Sequence, residues 1–201
     1  MSEEEPDLVL ASGSYVRRIL LERAEIPHWV APSDVDEASI KEQAGKNGLG
    51  PDQTALMLAL AKAVAVSEQY PGAFIIGADQ MLSCEDRLLD KPDGRAGLVR
   101  HLQFLQGKTH TLHTATVVTK GGEVMWRNLS EPRLTMRSMS DDEIRHHAET
   151  VDEAVLSSVG GYRIEAEGIR HFTHIEGDWQ AILGLPLLPL ITYLRTRDLL
   201  V

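Results

Sequence analysis

The 201-residue sequence contains one cysteine, Cys84. A lone thiol cannot close an intrachain disulfide, and a chain that does without disulfides suits a reducing compartment. Long apolar runs are also missing. A membrane-spanning helix needs roughly 20 such residues, and the richest stretch, 182–194, is interrupted by Gly184, Pro186 and Pro189. The opening Met-Ser-Glu-Glu-Glu-Pro is acidic where a secretory signal would be basic and then apolar. Positive charge is scarce: 20 Lys and Arg stand against 30 Asp and Glu, a formal net charge of -10. Proteins that grip DNA or RNA draw most of their affinity from a basic surface. A nucleic-acid polymer is therefore excluded as partner, while a small nucleotide, held by a few local cations, is not. The expectation is a cytoplasmic protein with no membrane role.

Common catalytic signatures are absent too. There is no G-x-S-x-G, H-E-x-x-H or G-x-G-x-x-G. Gly107-Lys108-Thr109 looks like the end of a phosphate-binding loop, but Leu102 occupies the place of that motif's first glycine. The pairs His110/His113 and His171/His174 have metal-like spacing. Both fall in expected strands, where positions i and i+3 face opposite sides, so surface or hydrogen-bonding roles are expected. Cys84 has no base beside it in sequence and reads as a packed thiol.

What is present suits one globular domain over residues 1–201, with 43% hydrophobic and 25% charged residues. Leu8–Ala11 reads as a buried strand, Ser12-Gly13-Ser14 as a turn, and the following residues as a helix. Residues 28–31 suggest a second strand and 32–50 a flexible polar connection. Pro51 opens a strong Ala/Leu helix to Gln69. Residues 74–78 read as a buried strand ending at Asp79-Gln80, 88–91 as a short extended piece, and 94–105 as an amphipathic helix. A long hairpin is expected over 110–136. Ser140 and Glu143 make a capping box for a helix to Glu149. Residues 162–175 suggest further strand, and 186–195 a closing helix. Strands alternating with helices indicate an α/β fold, a mixed twisted sheet flanked by helices.

One set of polar residues belongs together chemically. Ser12, Ser14 and Arg17 lie where a strand gives way to a helix, either as a helix cap with an exposed arginine or as an anion site favoured by free N–H groups and the helix dipole. Asp34, Asp36 and Glu37 cluster in a loop, as solvated acids or as ligands. Asp79, leaving an apolar strand, needs a partner. With a carboxylate of that cluster it could share a magnesium ion, which prefers oxygen donors and bridges phosphates. Lys62 sits among alanines, either snorkelling or reaching a phosphate, and Lys91 precedes Pro92. Two carboxylates, separated cations and an anion nest describe a metal–phosphate site.

These pieces resemble the Maf (septum-formation) family, motif by motif and in order, across nearly the whole chain. Leu10-Ala11-Ser12-Gly13-Ser14-Tyr15-Val16-Arg17 is similar to its L-A-S-x-S-P-x-R opening. Ser33–Glu37 resembles its acidic stretch, Ala59–Ala63 its A-x-x-K-A, Gly77-Ala78-Asp79 its G-A-D, and Asp90-Lys91-Pro92 its G-K-P. Gly107–His110 matches its G-x-T-H, which accounts for the apparent phosphate loop. Ile175–Asp178 and Leu183–Pro186 resemble its closing I-E-G-D and V-G-L-P.

The resemblance implies an inosine triphosphatase-like fold of two lobes around a cleft, often in a homodimer. It also implies hydrolysis of a nucleoside triphosphate to monophosphate and pyrophosphate. It gives Asp79 the part of proton acceptor, with Glu37 as acid or metal partner. Arg17, Lys62 and Lys91 become phosphate-handling cations, supported by Ser12 and Ser14. Family members are linked to arrest of cell division and to clearing non-standard nucleotides, so the expected substrate is 7-methyl-GTP or another non-standard nucleotide. Three departures stand out: Tyr15 for the usual proline, Asp90 for the usual glycine, and Ser157-Ser158-Val159-Gly160 for D-K-A-G. The dTTP/UTP branch usually carries Thr and Gln at the positions of Gln80 and Glu165. The branch acting on 7-methyl-GTP carries Gln and Glu, as this chain does, with Tyr162 or Trp179 available to stack on a base. The alternatives are an enzyme of the same fold that prefers dTTP, UTP or a broader nucleotide set, and a non-enzymatic, nucleotide-binding regulator of division.

Overall fold

A computed structural model describes residues 6–200; the acidic opening, residues 1–5, lies outside them. In chain order the elements begin with β1 (Leu8–Leu10), α1 (Tyr15–Arg23), β2 (Trp29–Val30), α2 (Glu37–Lys46), α3 (Pro51–Ser67) and β3 (Phe74–Cys84). Next come β4 (Arg87–Leu89), α4 (Gly94–Leu105), β5 (Thr109–Lys120), β6 (Glu123–Ser130) and β7 (Arg133–Met136). The series ends with α5 (Asp141–Thr150), β8 (Phe172–Glu176), α6 (Trp179–Ile182) and α7 (Leu187–Arg195). Parallel and antiparallel pairs join in one eight-stranded sheet, so the expected mixed α/β class is the observed one. The chain divides into two compact units. The first takes residues up to Gln80, Thr114–Ser130 and those from Asp178 onward; the second takes Met81–His113 and Glu131–Gly177.

In the first unit β1 pairs in parallel with β2 and β3, with Val9 opposite Trp29 and Ile75. Alternation along β1 separates two cores. Leu8 and Leu10 pack with Ile76, Leu21 of α1 and Leu190 and Leu194 of α7. Val9 and Ala11 pack with Ile75 and with Ala63 and Val66 of α3. Gly77 and Asp79 continue the parity of Ile75 and face α3. A Cβ on Gly77 would lie 2.1 Å from the Ala59 carbonyl oxygen, so only glycine lets this helix sit so close to the strand.

In the second unit β4 pairs with the end of β3, Leu82 opposite Leu89. The start of β5 pairs with β7, and β7 with β8. Leu98, Leu102 and Leu105 of α4 are buried, as are Leu112, Leu134 and Ile144. The Ser140–Glu143 capping box opens α5 as expected.

Four expectations are corrected. Residues 32–50 are not a flexible connection, because they contain α2. Asp36 caps it by accepting from the Ser39 N–H at 3.0 Å, Glu37 occupies its first turn, and Lys46 pairs with Glu42 in its last. Strand β3 does not stop at Ala78. Buried Met81, Leu82 and Cys84 carry it on, and Asp79 lies in mid-strand. The hairpin expected over 110–136 breaks at Glu131-Pro132, because proline has no N–H for the ladder. Strand β6 follows the later part of β5, and β7 turns to its earlier part. Finally, residues 162–171 are not strand. Gly160 and Gly161 take φ of 79° and 77°, and a 3₁₀ turn covers Glu167–His171 before β8 begins. Glu165 therefore sits in a turn.

The histidine pairs divide as the strand argument required for the first and by another route for the second. His110 Nε2 lies 2.6 Å from the Tyr162 hydroxyl, while His113 bonds Ser83 and Glu131. His171, in the 3₁₀ turn, meets His147 edge-on. Among the described residues no helix is long and apolar enough to cross a membrane.

Candidate functional site

The first unit brings four charged side chains together. Gly77 lets α3 settle on β3, and Lys62, one turn beyond Ala59, then reaches Asp79, two residues beyond Gly77. Lys62 Nζ lies 2.5 Å from Asp79 Oδ1 and 2.7 Å from Glu37 Oε1. Lys62 and Asp79 are buried, at 8% and 7% exposure, while the Glu37 side chain is 45% exposed. Lys62 thus does not snorkel outward. It bridges two carboxylates from different elements, β3 and the first turn of α2.

Arg17 is not an exposed helix residue either. Its Nε donates to the Gly184 carbonyl at 2.8 Å, and its Nη1 to the Ala78 carbonyl at 2.7 Å and to Ser12 Oγ at 3.1 Å. Burial pulls its pKa down from the usual arginine value, while Asp79 and Glu37 act the other way. Gly184, at φ +98°, turns its carbonyl to the guanidinium, and a Cβ there would lie 3.2 Å from Nε. Ser14 caps α1, its Oγ accepting from the Arg17 N–H at 3.4 Å. Ser12 Oγ accepts from the Ser14 N–H at 3.3 Å. Both serines thus serve this turn and Arg17.

Gln80, the next residue of β3, points to the opposite face. Its Nε2 donates to Thr114 Oγ1 at 2.8 Å and to the carbonyls of Ala181 and Ile182 at 2.9 and 3.2 Å. Asp34 and Asp36 are exposed, and Asp36 is spent on capping α2. Lys91 and Glu165 belong to the second unit. Lys91 is exposed, and Glu165 Oε1 accepts from Arg163 Nε at 3.1 Å. Tyr162 is buried, its ring edge-on to Phe172 and its hydroxyl on His110, so it cannot stack on a ligand.

The sequence reading missed the Gly184 carbonyl as a fixed partner of Arg17. It also missed Gly77 as the reason Lys62 and Asp79 meet. A glycine two positions before a polar residue, in an otherwise bulky strand, was the available signal.

The donor set can be tested against a divalent cation. Asp79 and Glu37 converge on one cationic atom, which is the placement a shared ion requires. Among the described residues no group of three or more His, Cys, Asp or Glu could hold a metal. Two converging carboxylates are a donor set that a divalent ion could use only if phosphates and water supplied its remaining ligands.

A parallel-edged mixed sheet with a buried lysine bridging two carboxylates is a class of site suited to phosphate chemistry. The family model described as Maf-like protein matches residues 7–197, and the chain belongs to that family. It is 45% identical over 193 residues to a nucleoside triphosphate pyrophosphatase of Nitrobacter winogradskyi, covering 96% of this chain and 95% of that one. It is 43% identical over 190 residues to a 7-methyl-GTP pyrophosphatase of Rhizobium etli, covering 94% and 96%. A 7-methyl-GTP pyrophosphatase of Mesorhizobium japonicum is 44% identical over 189 residues, covering 94% and 95%.

Proposed function

We propose that this protein is a metal-dependent nucleoside triphosphate pyrophosphatase that prefers 7-methyl-GTP, releasing the nucleoside monophosphate and pyrophosphate. The observation that carries the reading is the buried Lys62 bridge between Asp79 and Glu37. Asp79 in mid-strand and Glu37 on a helix turn are held by different elements, so their spacing is fixed before any ligand arrives. A divalent ion on these carboxylates would neutralise phosphate charge and favour departure of pyrophosphate.

The chain's own groups divide the remaining work. Asp79 accepts a proton from the attacking water, a part worth about 10²–10⁴-fold in rate. Lys62 holds both carboxylates in place and offers its ammonium to phosphate oxygen. Arg17 spends Nε and Nη1 on Gly184, Ala78 and Ser12, so its part is to hold the backbone beside Asp79. Gln80 commits its amide nitrogen to the protein, and the group it has left to offer a ligand is the acceptor Oε1. The parts of Lys91 as a phosphate contact and Glu165 as a base contact rest on the family resemblance. A carboxylate can accept from both N1–H and the exocyclic amine of guanine, and N7-methylation makes that ring cationic.

Pyrophosphate release from a panel containing 7-methyl-GTP, GTP, UTP and dTTP, with and without magnesium, tests the reading. The expected result is the highest kcat/KM for 7-methyl-GTP and no turnover after chelation. Equal or higher values for UTP and dTTP would overturn the preference, and a folded protein inert toward every nucleotide would overturn the activity.

A further inference from the structure

A second polar constellation lies wholly within the second unit and takes no part in the chemistry above. Ser83, near the end of β3, has its Oγ 2.8 Å from Nε2 of His113 on β5. The other ring nitrogen, Nδ1, lies 2.8 Å from Glu131 Oε1. Glu131 occupies the bend between β6 and β7, followed by Pro132, whose carbonyl accepts from the Leu112 N–H at 3.0 Å. The carboxylate is thereby anchored one residue away from His113 on the neighbouring strand.

The direction of the hydrogen bonds follows from donor chemistry. An ionised carboxylate only accepts, so Nδ1 of His113 must carry the proton. In the neutral ring Nε2 is then an acceptor, and the Ser83 hydroxyl donates to it. This is the polarity that nucleophilic catalysis needs: a hydroxyl bonded to a base, and the base held in the right tautomer by a third group. Recognition rests on that geometry and not on a sequence signature. His113 is buried at 8% exposure, Ser83 is half-buried, and the Glu131 side chain is half exposed. The base is thus shielded while Ser83 keeps part of its surface exposed.

We propose that Ser83, His113 and Glu131 form a second reactive centre, a nucleophilic serine that takes small activated acyl esters. Ser83 Oγ bonds to the ester carbonyl carbon while its proton passes to His113 Nε2. The carbonyl electron pair moves to oxygen, then returns to expel the alcohol, which leaves with the proton from Nε2. Water, deprotonated by the same nitrogen, frees the acid and restores the serine hydroxyl. A fluorophosphonate reacts at the first stage only: an O–P bond forms, the P–F bond breaks, and fluoride leaves.

The intact protein is treated with a fluorophosphonate, and the modified residue is located by mass spectrometry of its peptides. The expected result is one adduct, on Ser83, absent in Ser83→Ala. Labelling should slow at least tenfold in Glu131→Gln, which disturbs the tautomer while changing the bulk little. His113→Gln should behave likewise, with unchanged melting temperatures identifying variants that fold. Slow hydrolysis of p-nitrophenyl acetate should be lost in Ser83→Ala, while pyrophosphate release is retained. No adduct, an adduct elsewhere, or a Ser83 adduct formed at equal rate in folded Glu131→Gln and His113→Gln would each overturn the proposal.

Discussion

Replacing Lys62 by methionine isolates what the ammonium does, because methionine keeps the aliphatic length and removes the charge. Two carboxylates then lose a partner in unequal surroundings. Glu37, with 45% of its side chain exposed, can turn to water, so its share is under about 1 kcal/mol. Asp79, with 10% exposed, cannot do so without leaving mid-strand. Stranding one member of a buried pair costs about 3–5 kcal/mol. Arg17 remains close enough to oppose part of that, which places the expected loss near 3 kcal/mol. Denaturant titration should record it as a lower midpoint at unchanged slope. Adding Asp79→Asn to Lys62→Met removes the stranded charge and should restore about 2 kcal/mol, a coupling well above the additive expectation for independent sites. Pyrophosphate release by Lys62→Met should fall about 10²–10³-fold, the usual effect of losing one fixed charge donor. A stability loss under about 1 kcal/mol, with an additive double variant, would refute the buried-bridge account of Lys62.

Three further outcomes are expected. Gly77→Ala places a Cβ 2.1 Å from the Ala59 carbonyl oxygen; α3 must move, and both the denaturation midpoint and pyrophosphate release should drop. Gly45→Ala, with nothing within 4 Å, is the neutral control, and equal behaviour of the two would contradict the packing argument. His110, held near pKa 4 by burial, stays neutral in the folded state while an unfolded imidazole titrates near 6.5. Its contribution is complete above about pH 6.5 and is lost as the pH falls towards 4, up to about 3 kcal/mol. His171 acts in the same direction for the same reason. Midpoints measured at pH 7 and pH 4.5 should therefore diverge, and a flat profile would count against the buried neutral rings. Glu165→Gln should lower the 7-methyl-GTP to UTP ratio of kcat/KM by about tenfold or more; a parallel fall in both would leave Glu165 a purely structural residue.

Much of the fold was legible because its signals are local. The α4 boundaries and the α5 capping box follow from periodicity and cap chemistry. Helix α2 was missed because its only buried residue is Ala44, so no apolar stripe marked it, although the Asp36 cap and terminal charges did. Strand β3 was cut short because Asp79-Gln80 reads as an exit when the partners that satisfy it, Lys62 and Thr114, lie 17 and 34 residues away. Residue types alone grouped Asp79, Lys62 and Arg17 with the acidic run Asp34, Asp36 and Glu37, and the choice of Glu37 within that run rested on the family resemblance. That Lys62 bridges the carboxylates, and that Arg17 faces backbone carbonyls, depend on long-range packing that no local pattern encodes.

The carbonyl that Arg17 grips at Gly184 also sets an order of events during synthesis. The first unit is assembled from three stretches of chain, and its last stretch starts only at Asp178. Both Gly184 and the carbonyls that hold Gln80 belong to that final stretch. N-terminal regions often fold while the ribosome is still translating, but here Ser12, Arg17 and Asp79 must wait for residues 178–184 to be synthesised before their scaffold is closed. A prematurely terminated product can carry every charged group of the cluster and still lack the strap that fixes it.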